Sequence, residues 1–111
     1  MRGFLQRDSA APREHSRFFI DLRLAVKAET RLYGRTKDIS ETGLGATVAG
    51  DIKMGDVVEL EFKLPGNTEP TLVSAELRYR QGFSYGFRFL NLTKQQREDI
   101  LRATRYLPVV R

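Results

Sequence analysis

Along most of the chain, apolar residues recur at every second position for three or four steps and then stop at a turn-forming residue. Successive Cβ atoms of a strand point to opposite faces, so this period places the apolar residues of each run on one side. Leu22, Leu24, Val26 and Ala28 alternate with Arg23, Ala25, Lys27 and Glu29. Gly34 breaks that run, and a second short strand is expected over about 35–39. Leu44, Ala46 and Val48 follow a turn at Gly43, and Val58, Leu60, Phe62 and Leu64 alternate with Glu59, Glu61 and Lys63. Val73, Ala75, Leu77 and Tyr79 form a fifth run, and Tyr85, Phe87 and Phe89 a sixth. Gly50-Asp51, Gly55-Asp56, Pro65-Gly66-Asn67 and Gln81-Gly82 supply the connections. Six short strands with tight turns would leave many exposed edges, and closure into an antiparallel barrel removes them.

The period changes at the end. Thr93 and Gln96 have the spacing of a capping box. Ile100, Leu101, Thr104 and Leu107 fall on one helical face, and Pro108 is expected to stop the helix. The predicted class is therefore all-β with one helix: a six-stranded antiparallel β-barrel plus a C-terminal α-helix. That helix is expected to cover one barrel opening or to pack on a partner. Residues 1–12, with Ser9-Ala10-Ala11-Pro12 and a run of charges, read as a flexible tail. Residues 13–107 read as one domain, and 108–111 as a C-terminal tail.

Composition narrows the chemistry. With no cysteine and a single histidine, His15, thiolate sites and paired-histidine chemistry are excluded. No paired carboxylates, Ser–His pair or metal-ligand cluster can be picked out, so binding is expected and catalysis, metal and cofactor are not. No run approaches the roughly 20 apolar residues of a membrane span, and the N-terminus lacks a signal-peptide apolar run. Membrane insertion is not expected, and a cytoplasmic address is. The net charge is +5, and arginine supplies 14 of the 19 basic residues. A guanidinium grips phosphate and guanine edges bidentately, which the lysine point charge cannot do.

Two short patterns stand together. Arg13-Glu14-His15-Ser16-Arg17 is an R-x-x-x-R just before the first alternating run, and Asp38-Ile39-Ser40-Glu41-Thr42-Gly43 is a D-x-S-x-x-G at the turn between the second and third strands. Each alone is common. Arg31 and Arg35 repeat the arginine spacing across a strand, where a solvated face is expected. In a bare turn, Asp and Ser cap backbone donors and Gly supplies a positive φ.

The two patterns in this order, followed by the remaining strands and the helix, resemble the PilZ domain family of cyclic di-GMP receptors over about residues 13–107. The resemblance implies that Arg13 and Arg17 reach the ligand's phosphates and guanine edges, and that Asp38 accepts from the guanine N1–H and amino group. It further implies that Ser40 donates to a ligand oxygen and that Gly43 admits the backbone close to the ligand or makes the turn. Arg7, His15 and Gly86 are further candidate contacts. Pro12 stands where many members carry another arginine, which leaves open one ligand or a stacked pair. The implied role is a stand-alone sensor whose N-terminal arm orders on binding and which acts on an unidentified downstream protein. Two alternatives remain: a PilZ-fold interaction module that has lost the dinucleotide, and a small barrel binding single-stranded nucleic acid. Nucleic acid is disfavoured because Tyr85, Phe87 and Phe89 alternate as core residues do.

Overall fold

The computed structural model describes residues 16–110. Their elements are β1 (Phe18–Phe19), β2 (Arg23–Lys27), β3 (Arg31–Ile39), β4 (Gly43–Ala49), β5 (Val57–Phe62), β6 (Thr71–Gln81), β7 (Ser84–Leu90) and α1 (Lys94–Thr104). Every pairing is antiparallel, and the order β2–β3–β4–β7–β6–β5 returns to β2. The six expected strands therefore close into a barrel. The additional strand, β1, pairs Phe18 with Ile39 and Phe19 with Asp38 on β3. Two residues are too short to show a period, which is why the sequence gives no sign of it.

The alternating runs fill the interior. Leu44, Ala46, Val48, Leu60, Ala75 and Leu77 are fully buried, and Phe62 stacks on Phe89 with ring centroids 6.3 Å apart. The barrel is a packed core with no internal ligand space along these strands, so binding must use its outside.

Gly34 does not break a strand. β3 runs through it, pairing Gly34 with Leu24 on one side and Val48 on the other. A Cβ at Gly34 would overlap the Thr47 carbonyl oxygen and lie 2.9 Å from the Val48 Cα. Here glycine answers a close approach of two backbones, not a turn.

Two β-bulges shape the outer wall. In the β3–β4 ladder Thr36 faces Ala46 and Asp38 faces Gly45, so Lys37 is an extra residue. In the β6–β7 ladder Leu77 faces Phe87 and Tyr79 faces Gly86, so Arg78 is extra. A bulge reverses the side-chain parity beyond it. Ile39 thereby turns inward, fully buried, and Asp38 outward. Tyr79, expected inside by alternation, instead stands outside at 53% exposure.

The capping box forms as expected: the Gln96 amide donates to Thr93 Oγ1 at 3.0 Å, and the Thr93 amide to Gln96 Oε1 at 3.1 Å. Thr93→Ala is expected to cost about 1 kcal/mol of stability, measured as an earlier urea midpoint with unchanged slope. The helix closes the barrel end bearing the β3–β4 and β5–β6 connections. Ile100 enters the core, Gln96 Nε2 donates to the Leu72 carbonyl at 2.8 Å, and Asn67 Nδ2 donates to Asp99 Oδ2 at 3.2 Å. Hydrogen bonds from Gln95 above all, then from Arg102 and Asn67, hold the Asp99 carboxyl below its usual range. Leu101 departs from the expected apolar face and is 47% exposed.

Pro108 is not the stop. The helix ends at Thr104, whose hydroxyl bonds back to the Ile100 carbonyl at 2.8 Å, and Leu107 N–H bonds to the Thr104 carbonyl at 3.1 Å in a tightened last turn. The segment beyond returns to β1. Phe19 N–H donates to the Pro108 carbonyl at 2.9 Å, and Val110 N–H to the Arg17 carbonyl at 2.8 Å. The backbone from the Arg17 carbonyl to Phe19 is thus held by residues 108–110.

Candidate functional site

The two bulges lie in one row of paired residues. Asp38 on β3 faces Gly45 on β4, Gly45 faces Gly86 on β7, and Gly86 faces Tyr79 on β6. Two side chains turned outward by bulges therefore flank two positions that have none. The result is a shallow depression of about 330 Å³ on the barrel wall. Arg17, Thr42, Gly43, Arg78, Tyr79, Gly86 and Arg88 are among the residues that line it.

Arg17 comes from the residue just before β1 and forms an ion pair from Nη2 to Asp38 Oδ1, with both side chains largely covered. Asp38 Oδ1 also accepts the Gly45 amide at 3.2 Å. The pair spreads across Gly45, where a Cβ would sit 3.0 Å from Asp38 Oδ1 and 3.4 Å from Arg17 Nη2. Asp38 thereby fixes the guanidinium on the wall, and among the described residues the remaining Arg17 donors and Asp38 Oδ2 have no other partner.

Ser40 is buried. Its Oγ accepts the Thr42 amide at 3.1 Å and shares a hydrogen bond with the Thr42 hydroxyl at 3.0 Å, while its own amide donates to the Gly43 carbonyl at 2.8 Å. This is the turn-capping role open to it in the sequence. Gly43 does not have the positive φ expected of a turn glycine. What it needs is space, since a Cβ would overlap the Phe87 carbonyl oxygen and lie 3.2 Å from the Arg88 Cα. Gly86 lies in the floor. The structure thus brings Arg17, Asp38, Gly43 and Gly86 to one patch and puts Ser40 beneath its edge. Arg7, Pro12, Arg13 and His15 fall outside the described residues.

Arg78, Tyr79, Arg88 and Gly45 belong to this wall without belonging to either motif. Arg88 had a usable signal, because it lies between inward Phe87 and Phe89 and so shares a face with Gly86. Gly45, Arg78 and Tyr79 had none, since only strand register places them. Among the described residues no group of His, Cys, Asp or Glu could hold a metal ion, and no helix is long and apolar enough to cross a membrane.

A closed six-stranded barrel with a helix over one end, an interior filled by side chains and an arginine-rimmed wall is a small binding domain that presents its site on the outside. The chain belongs to the PilZ domain family, whose model matches residues 11–106 and whose members typically bind cyclic di-GMP and are not catalysts. Solved structures share the fold at low sequence identity. The PilZ domain of YcgR with c-di-GMP, from Escherichia coli, superposes with a TM-score of 0.70 at 20% identity, over 86% of this chain and 90% of that one. The inhibitor of motility MotI/DgrA of Bacillus subtilis gives 0.72 at 15% identity, over 90% of this chain and 50% of its own. The PilZ domain of CeSA from a cellulose-synthesizing bacterium gives 0.62 at 18% identity, over 79% and 93%. No curated protein sequence matches this chain.

Proposed function

We propose that the wall around Gly45 and Gly86 binds cyclic di-GMP and that the chain serves as a sensor of it. The observation that carries this reading is the meeting of Arg17 and Asp38, 21 positions apart in sequence, over a floor without side chains. Guanine offers O6 and N7 to a guanidinium and N1–H and an amino group to a carboxylate. Arg17 and Asp38, held side by side, present both halves of that pattern. Adenine offers neither the O6 acceptor nor the N1–H donor, so it would leave Asp38 Oδ2 unpaired. Arg13, four residues ahead, adds a second guanidinium from the arm, with Arg7 and His15 as further contacts. Ser40 and Gly43 serve by holding the turn that aims Asp38. The PilZ domain of YcgR, which shares this fold, carries c-di-GMP in its structure.

Closing the arm on the ligand changes the surface beside β1 and α1, and a partner protein can read that change. Burial of Tyr85, Phe87 and Phe89 supports this reading over a nucleic-acid one, since those three rings offer bases no platform.

Titration calorimetry tests the proposal. Wild type is expected to bind cyclic di-GMP, and cyclic di-AMP at least about tenfold more weakly. Replacing Arg13 and Arg17 together by alanine is expected to cost about a hundredfold in affinity. Absence of heat with wild type, or equal binding by the double variant, would remove the assignment.

A further inference from the structure

The depression carries two more guanidinium groups that no motif accounts for. Arg88 follows Gly86 by two positions on β7, so it faces the same side roughly 7 Å further along the strand. Arg78 is the extra residue of the β6 bulge. Both line the same depression as Arg17, Gly43 and Gly86. Arg78 is held loosely, with Nη1 3.7 Å from Glu76 Oε1 and its side chain about half exposed. Arg88 is exposed and, among the described residues, its side chain makes no ion pair or hydrogen bond.

Arg17 already spends part of its charge on Asp38, and Arg78 part of its own on Glu76. The Arg88 side chain makes no such ion pair among the described residues, although the register sets it opposite Glu76 on β6. Arg88 is paired with Gly43 on β4, one row beyond the Gly45–Gly86 pair, and it lines the same depression as Arg17, so this wall carries more than one cation.

We propose that Arg88, with Arg78 beside it, grips the second phosphate of the cyclic dinucleotide across the glycine floor from Arg17. This rests on the cyclic di-GMP reading above. A cyclic dinucleotide has two phosphodiesters on opposite sides of its ring, so laid over Gly45 and Gly86 it turns one toward Arg17 and the other toward Arg88. A guanidinium meets a phosphodiester with two parallel N–H···O bonds. Such a contact adds affinity but reads no base. Arg17 with Asp38 then sets which base is accepted, and Arg88 sets how tightly the ring is held.

The test is calorimetric titration of the full chain as wild type, Arg17→Ala, Arg88→Ala and Arg88→Lys, at low and high salt. The probes are cyclic di-GMP and the mixed cyclic GMP-AMP. Arg88→Ala is expected to weaken both ligands by the same factor, about tenfold, and to flatten the salt dependence. Arg88→Lys is expected to recover only part of the affinity, because the ammonium keeps the charge but cannot make the two parallel bonds. Arg17→Ala should instead narrow the preference for the all-guanine ligand. Wild-type affinity in Arg88→Ala, with Arg17→Ala impaired, overturns the clamp and leaves the sensor reading standing. A narrowed guanine preference in Arg88→Ala overturns it too, since the residue would then be reading a base. No binding by wild type fells both.

Discussion

Gly86→Leu is expected to abolish cyclic di-GMP binding while the barrel remains folded. Gly86 lies on the outer wall, paired with Gly45 on β4 and Tyr79 on β6. A Cβ there would stand 3.1 Å from the Tyr79 Cβ and 3.6 Å from its Cδ2. That nearest atom needs to shift by only a few tenths of an ångström, so the cost to folding is modest, about 1 kcal/mol. The rest of a leucine would project into the depression between Arg17 and Arg88. A planar ligand laid on that floor would meet a whole branched side chain, and no small adjustment relieves such an overlap. The affinity loss should exceed about a hundredfold, against a melting temperature lower by only about 4–8 °C. Gly86→Ala, which adds one carbon, should fall between the two. Thermal melting followed by circular dichroism, run beside the titration, separates the effects. Wild-type affinity in the leucine variant would place the ligand elsewhere on the barrel.

The contrast between what the sequence showed and what it hid follows from what each feature depends on. The six long strands were legible because their inward residues alternate, and alternation is local. The capping box of Thr93 and Gln96 was legible for the same reason. The wall was not. The motif marks Asp38, but its outward aim depends on the bulge at Lys37, and alternation places Tyr79 in the core because the bulge at Arg78 is invisible in one strand alone. Bulges are properties of a pairing, and pairing between β3, β4, β7 and β6 is long-range. Gly34 misled for a related reason: a glycine that breaks a strand and a glycine that lets two strands approach look alike until the neighbour is known. Arg17 and Asp38 come from the two motifs and form an ion pair, yet Gly45, Arg78, Tyr79 and Arg88, which share their wall, belong to no motif.

Gly43→Ala is expected to destabilise the fold by about 3 kcal/mol or more, whereas Gly45→Ala, two residues on, should cost less than about 1 kcal/mol. Neither prediction turns on backbone conformation, since neither glycine has a positive φ. At Gly43 the obstacle is backbone: a Cβ would overlap the Phe87 carbonyl oxygen, with the Phe87 carbonyl carbon at 3.1 Å and the Arg88 Cα at 3.2 Å. Relief requires β4 and β7 to separate at the edge where the Phe89 amide bonds to the Thr42 carbonyl at 2.8 Å and the Ser40 amide to the Gly43 carbonyl. At Gly45 the nearest atoms are the carboxylate oxygens of Asp38, at 3.0 and 3.3 Å, and the Arg17 Nη2, at 3.4 Å. Those are the ends of side chains, and they can swing. Urea unfolding should therefore show a large fall in midpoint for Gly43→Ala and a small one for Gly45→Ala. Ligand titration should reverse the emphasis, because displacing the Arg17–Asp38 pair disturbs the groups proposed to read guanine. If Gly45→Ala instead proves the more damaging to folding, the ion pair above it is a structural brace, and its availability to a ligand would have to be given up.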